Sequence, residues 1–230
     1  MSARAALLTT LLLVVAAFAA PFLLLDPPRL ARPARDEAAS RAAFAVRDLV
    51  PPLQQWGTRS FTLPLLESAY AHVEYLTLRD DGRVAKQLYQ ERLGALLDRG
   101  LPVDLFLLAH TNEFVTWTSE LAPERRALLR LVYDTGCFDF RQRESWLALG
   151  ARAFVGHVGE SASTLFYVPF LRGWVRDASL GTLVDETNRR AALLIQRWAL
   201  LHGVEAAPIL EATRAELAGD ASLRVGEVRR

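Results

Sequence analysis

The sequence predicts an α/β fold built on a mostly parallel sheet, and three observations carry that prediction. From residue 71 onward, short apolar runs of strand length alternate with amphipathic helical stretches, the order expected of strands joined by crossover helices. Val103 to Ala109 is a nearly unbroken apolar run, as in a strand covered on both faces. Two such runs end in residues capable of chemistry, His110 after the first and Cys137 after Leu128 to Tyr133. In an open α/β sheet the carboxyl ends of the strands are where ligand sites collect.

The elements follow in order. Ala5 to Leu25 carries no charge and is 21 residues long, close to the roughly 20 needed to cross a bilayer as a helix. It reads as an N-terminal hydrophobic helix, either a signal peptide cleaved after Ala17-Phe18-Ala19 or a retained anchor, since Phe22 to Leu25 continues the apolar run. Arg29, Arg32, Arg35 and Arg41 after the run would hold the C-terminal side in the cytoplasm by the positive-inside rule. The short tail before the apolar core points instead to export, and a membrane-anchored or exported, extracytoplasmic protein is the expectation. Asp26 to Arg35, with three prolines, is an extended linker, and Asp36 to Val50 presents a small-residue helical face before Pro51-Pro52.

Ala71 to Arg79 is the first strand, and Asp80-Asp81-Gly82 turns the chain. Val84 to Arg99 is a helix by the spacing of Leu88, Leu93, Leu96 and Leu97. Strands follow at Val103 to Ala109, Leu128 to Tyr133 and Ala151 to Val158, with helices at Thr118 to Leu128 and Asp139 to Leu149 between them. The remainder reads as helix: Leu165 to Val175, Leu180 to Leu201 and Ala206 to Leu217, with Pro169 tolerated only if its helix starts near Tyr167. The resulting division is a signal or anchor (1–25), a linker and short helix (26–60), an α/β domain (61–205) and a C-terminal helix and tail (206–230).

Composition narrows the function. A hydrophobic content of 51% with 23% charged residues fits a folded domain. A net charge of +1 argues against nucleic acid, which demands a concentrated excess of Lys and Arg. One cysteine permits no intramolecular disulfide, so the fold stands on its core. No ligand set has a usual short zinc spacing and no cofactor motif is present, so neither metal nor cofactor is expected.

A thiol becomes a nucleophile when a base or cation draws it toward thiolate, and His is the usual partner. His110 and Cys137 lie 27 residues apart. A strand, helix, strand crossover would bring them to one edge, because parallel neighbours lie ~4.8 Å apart. The bland alternatives are a satisfied edge histidine and a packing cysteine.

A strand ending in His, then a strand ending in Cys, a helix, Gly150 to Gly156 on the next strand, and Phe166-Tyr167 to Gly173 before a helix resembles the caspase-like fold of clan CD cysteine peptidases, most closely the CHAT and separase-like branch. The resemblance covers roughly Tyr70 to Arg190. It implies a three-layer αβα caspase-like domain, Cys137 as nucleophile, His110 as general base, and the Cys137 backbone N–H in an oxyanion hole. The family usually has Gly after its His, where this chain has Thr111-Asn112-Glu113. It commonly has a small residue such as Ala or Ser before its Cys, a place Gly136 keeps, and Ser nearby after it, where this chain has Phe138-Asp139.

Around the dyad, Thr111, Asp134, Gly136, His157, Glu160 and Ser161 are the expected substrate-binding residues, with His157 able to line the pocket or replace His110 as base. Asp134 and Asp139 flank the thiol, where acidic neighbours would raise its pKa; they suit a basic substrate side chain, or each caps a helix or turn, Asp139 ahead of Asp134. A Ser161, His157, Asp134 hydrolase is a poorer match without Gly-x-Ser-x-Gly. The expected activity is cysteine endopeptidase; the alternative is an inactive caspase-like module binding a protein partner at the membrane. The expected partners are thus a peptide or protein and, through residues 5–25, a membrane.

Overall fold

The computed structural model describes residues 40–48, 52–77, 85–109, 113–161 and 163–226. The segment 5–25 and the linker 26–35 lie outside the described residues, among which no helix is long and apolar enough to cross a membrane.

Six strands form one sheet in the order β2-β1-β3-β4-β5-β6. They are β1 (Ala42–Arg47), β2 (His72–Thr77), β3 (Val103–Leu108), β4 (Leu129–Asp134), β5 (Ala153–His157) and β6 (Ala215–Gly219). β1 to β5 run parallel, and β6 pairs antiparallel with β5. The helices are α1 (Pro52–Ala69), α2 (Lys86–Leu97), α3 (Phe114–Ser119), α4 (Pro123–Arg126), α5 (Arg143–Ala148), α6 (Ser163–Trp174), α7 (Leu180–His202) and α8 (Ala207–Thr213), with a 3-10 turn at Asp139–Gln142.

Strand residues alternate between two apolar layers, as a period of two requires. On one face Ala43, Ala45, Phe106, Leu108, Tyr133 and Val155 pack against side chains of α1, α6 and α7. On the other, Phe44, Val46, Leu105, Leu107, Val132 and Phe154 meet α2, α3 and α5. Covering both faces explains why β1, β3 and β4 are buried at every position.

β4 breaks the alternation once. Val103 pairs with Leu129 but Leu105 pairs with Val132, so β4 carries an extra residue. Leu129 and Val132 face α2, whereas Leu131 and the Arg130 side chain both turn to the opposite layer. There Arg130 Nε donates to Asp104 Oδ1 at 2.8 Å, and its Nη1 donates to the carbonyls of Arg224 and Val225. Tyr70 O–H donates to Asp104, and Trp174 Nε1–H donates to Tyr70 at 2.7 Å. The bulge thus completes a satisfied buried ion pair near the amino ends of β3 and β4.

Two elements correct the sequence reading. The expected helix over 36–50 contains β1, because a strand buried on both faces shows no polar alternation and its alanines mimic a helical face. The expected helix over 206–217 is split: α8 ends at Thr213, and Ala215–Gly219, whose Ala, Glu and Leu residues are good helix formers in isolation, is drawn into the sheet edge by β5. Besides these, α6 begins at Ser163 rather than near Tyr167, so Pro169 stands inside it and withholds one main-chain donor. Pro64 does the same in α1.

Candidate active site at the carboxyl edge of the sheet

β3 and β4 are adjacent and parallel, with Leu107 opposite Asp134 and Thr135 N–H donating to Leu107 O at 2.9 Å. β3 ends at Leu108, two residues before His110 in the chain, and β4 ends three residues before Cys137. His110 and Thr111 lie outside the described residues, so the dyad itself does too. Cys137 is a free, half-buried thiol.

The segment carrying it is tightly made. Asp134 Oδ1 accepts the Gly136 N–H at 3.1 Å, closing a turn over Thr135. Any side chain at 136 would force Asp139 aside, since a Cβ there would lie 1.8 Å from Asp139 Oδ2 and 3.1 Å from the Ala109 carbonyl oxygen. Directly after the thiol, Phe138 adopts a left-handed conformation with φ 62°, rare for a bulky residue. Its N–H donates to Gly159 O at 2.9 Å, its ring is exposed, and the Arg141 guanidinium lies 5.0 Å above it. Strain of this kind concentrates at functional sites.

Asp134 and Asp139 are both buried. Burial, and then the neighbouring Asp139 carboxylate, pushes the Asp134 carboxyl well above the usual range, and burial likewise pushes Asp139 upward. Among the described residues Asp134 Oδ2 and both Asp139 oxygens make no hydrogen bond of good geometry, the nearby Gly136 N–H only offsetting part of the effect of burial on Asp139, so a retained proton between the two carboxyls is what satisfies them. Asp139 therefore caps nothing, and the basic-substrate role expected of Asp134 is corrected by its burial.

His157 corrects a further expectation. It ends β5 as expected but points into the aromatic layer, fully buried against Tyr133 and Phe166. Its Nδ1–H donates to Thr213 O at 2.6 Å, and Nε2 faces Tyr133 O–H at 3.3 Å. Burial lowers its pKa to about 4, against the opposing pull of the Thr213 carbonyl. It is a neutral core imidazole, and it neither lines a cleft nor offers a free base. Strand parity puts Asp134 on the α2 face and His157 on the other, which rules out a Ser161, His157, Asp134 triad.

No family model, curated protein or solved structure matches the chain. The site must be read from its own geometry. Of the remaining expected binding residues, Gly136 is buried within the turn, Glu160 is exposed, and Ser161 is half-buried on the loop after β5. That loop is held to the last turn of α8, with Gly159 N–H donating to Ala212 O at 2.9 Å. Among the described residues no group of His, Cys, Asp and Glu is placed to hold a metal.

Sequence reasoning missed Arg47, which ends β1 on the α6 side. It is fully buried, donates to Tyr167 O–H at 2.8 Å and Thr62 Oγ1 at 3.3 Å, and lies 5.0 Å from the Tyr167 ring centroid. Among the described residues it has no carboxylate partner. An arginine closing an apolar run was the available signal.

Proposed function

We propose that the chain is a cysteine peptidase of caspase-like topology, with the cleft at the carboxyl edge of β3 and β4. The observation that carries this reading is the half-buried free thiol of Cys137, followed by the left-handed Phe138, on the strand parallel and adjacent to the one that leads to His110. His110 takes the thiol proton, and the sulfur attacks the substrate carbonyl carbon. The C–N bond breaks as His110 returns the proton to the leaving amine. Water then hydrolyses the thioester, releasing the acid and restoring the thiol.

The reading is tested with a peptidyl electrophile directed at thiols. Covalent labelling of the wild-type chain, its loss in Cys137→Ala and its slowing in His110→Ala, with both variants folded, supports the peptidase. Absence of labelling in a folded wild-type chain overturns it and leaves the non-catalytic binding module. That second reading draws support from the burial of His157, which removes the alternative base from the edge.

A further inference from the structure

The turn that carries Cys137 is anchored at three main-chain points. Thr135 N–H reaches β3 at Leu107 O, Gly136 N–H reaches Asp134, and Phe138 N–H reaches Gly159 O. Between these anchors the bare Cα of Gly136 lies against the Asp139 carboxyl, so the acid packs on main chain with no side chain between. Among the described residues three carboxyl oxygens there make no hydrogen bond of good geometry, the Gly136 N–H being the one donor close to Asp139. Two buried carboxylates in contact repel, whereas a carboxyl and a carboxylate attract through the proton they share.

Among the described residues the ionisable groups acting on the pair include no cation. Burial pushes the Tyr89 and Tyr133 hydroxyls upward, with the Tyr167 ring adding to Tyr133 and the Asp134 carboxyl adding a smaller push to each. Asp48 is buried just past β1. Arg141, in the 3-10 turn, lies over the Phe138 ring. Cys137 is the remaining titratable group of the turn.

We propose that Asp134 and Asp139 form a proton-operated clamp: one shared proton holds the Thr135–Phe138 segment against the sheet, and its loss to solvent leaves two facing carboxylates that release the segment and expose Cys137. The clamp acts on the segment whether or not Cys137 is a nucleophile, so it goes beyond the peptidase reading.

The test is hydrogen–deuterium exchange of the full chain at about pH 5 and about pH 8, corrected for intrinsic amide rates. Both values lie above the point at which His157 protonates, so that group stays neutral throughout. Protection across 135–138 should fall by about tenfold or more at the higher pH while β3 keeps its protection. Asp139→Asn, whose amide donates to Asp134 without titrating, should lose most of that pH response, and Asp134→Asn gives the reciprocal check should the first variant not fold. Cys137→Ala should keep the wild-type response. Equal protection at the two pH values, or an unchanged response in the Asn variants, overturns the clamp. Abolition of the response in Cys137→Ala overturns it in favour of the thiol's own titration. None of these readings depends on peptide cleavage.

Discussion

The two edges of the sheet bury the same kinds of charge and treat them oppositely. At the amino edge, Asp104 and Arg130 sit on neighbouring strands and one face, and Tyr70, Trp174 and two main-chain carbonyls complete their shell. At the carboxyl edge, Arg47 and the Asp134 and Asp139 pair lie on opposite faces, with the sheet between cation and anions. The difference is one of strand parity, since the bulge in β4 brings Arg130 round to Asp104 and nothing does so for Asp134. Satisfied buried charge belongs to the scaffold; unsatisfied buried charge marks where a structure is held ready to change.

The comparison can be broken most forcefully at the amino edge. Arg130→Met leaves Asp104 buried without its partner and should cost about 3–5 kcal/mol in urea unfolding. Arg47→Met removes a buried cation that leaves no carboxylate behind, and should cost less than half as much in the same experiment. A larger loss at Arg47 would dissolve the contrast between the edges.

The titratable groups of the carboxyl edge sharpen it with opposite signs. His157 has a folded pKa of about 4, below its ordinary 6.5, so the unfolded chain binds more protons between these values. Its contribution is fully present above about pH 6.5 and lost as pH falls toward 4, by about 3 kcal/mol at most. The carboxyl pair has raised pKa values, so its contribution is fully present below the ordinary carboxylate pKa and lost as pH rises through the folded values. In thermal melts across pH, His157→Gln should flatten the acid limb, and Asp139→Asn should flatten the decline on the alkaline side.

Smaller effects test the packing beneath the thiol. Gly136→Ala forces a Cβ onto Asp139 and should cost about 1–3 kcal/mol, part of it recovered in the Gly136→Ala, Asp139→Ser double variant. Smallest is Tyr133→Phe, which removes the O–H from His157 Nε2 and should cost about 1 kcal/mol, with a detectable change in the His157 titration by NMR.

Much of the scaffold was legible in the sequence and little of the site's electrostatics. β2 to β5 announced themselves through apolar runs between helices, and Cys137 was correctly read as lying just past a strand end at the carboxyl edge. β1 and β6 were hidden because Ala-rich segments favour helix until neighbouring strands capture them. The burial of Asp134, Asp139 and His157 was equally hidden, since polar residues at strand ends carry no mark of which face they occupy. That face depends on register, and one extra residue in β4 resets it.

The order of synthesis gives the antiparallel strand a further consequence. β6 and the carbonyls of Arg224 and Val225 emerge from the ribosome after every other strand, yet the first closes the β5 edge and the second complete the shell of Arg130. Until they arrive, a nascent chain carries an open strand edge and an arginine short of two acceptors at its centre. A product cut short before residue 215 should therefore be held by chaperones or degraded rather than accumulate as a nearly native domain.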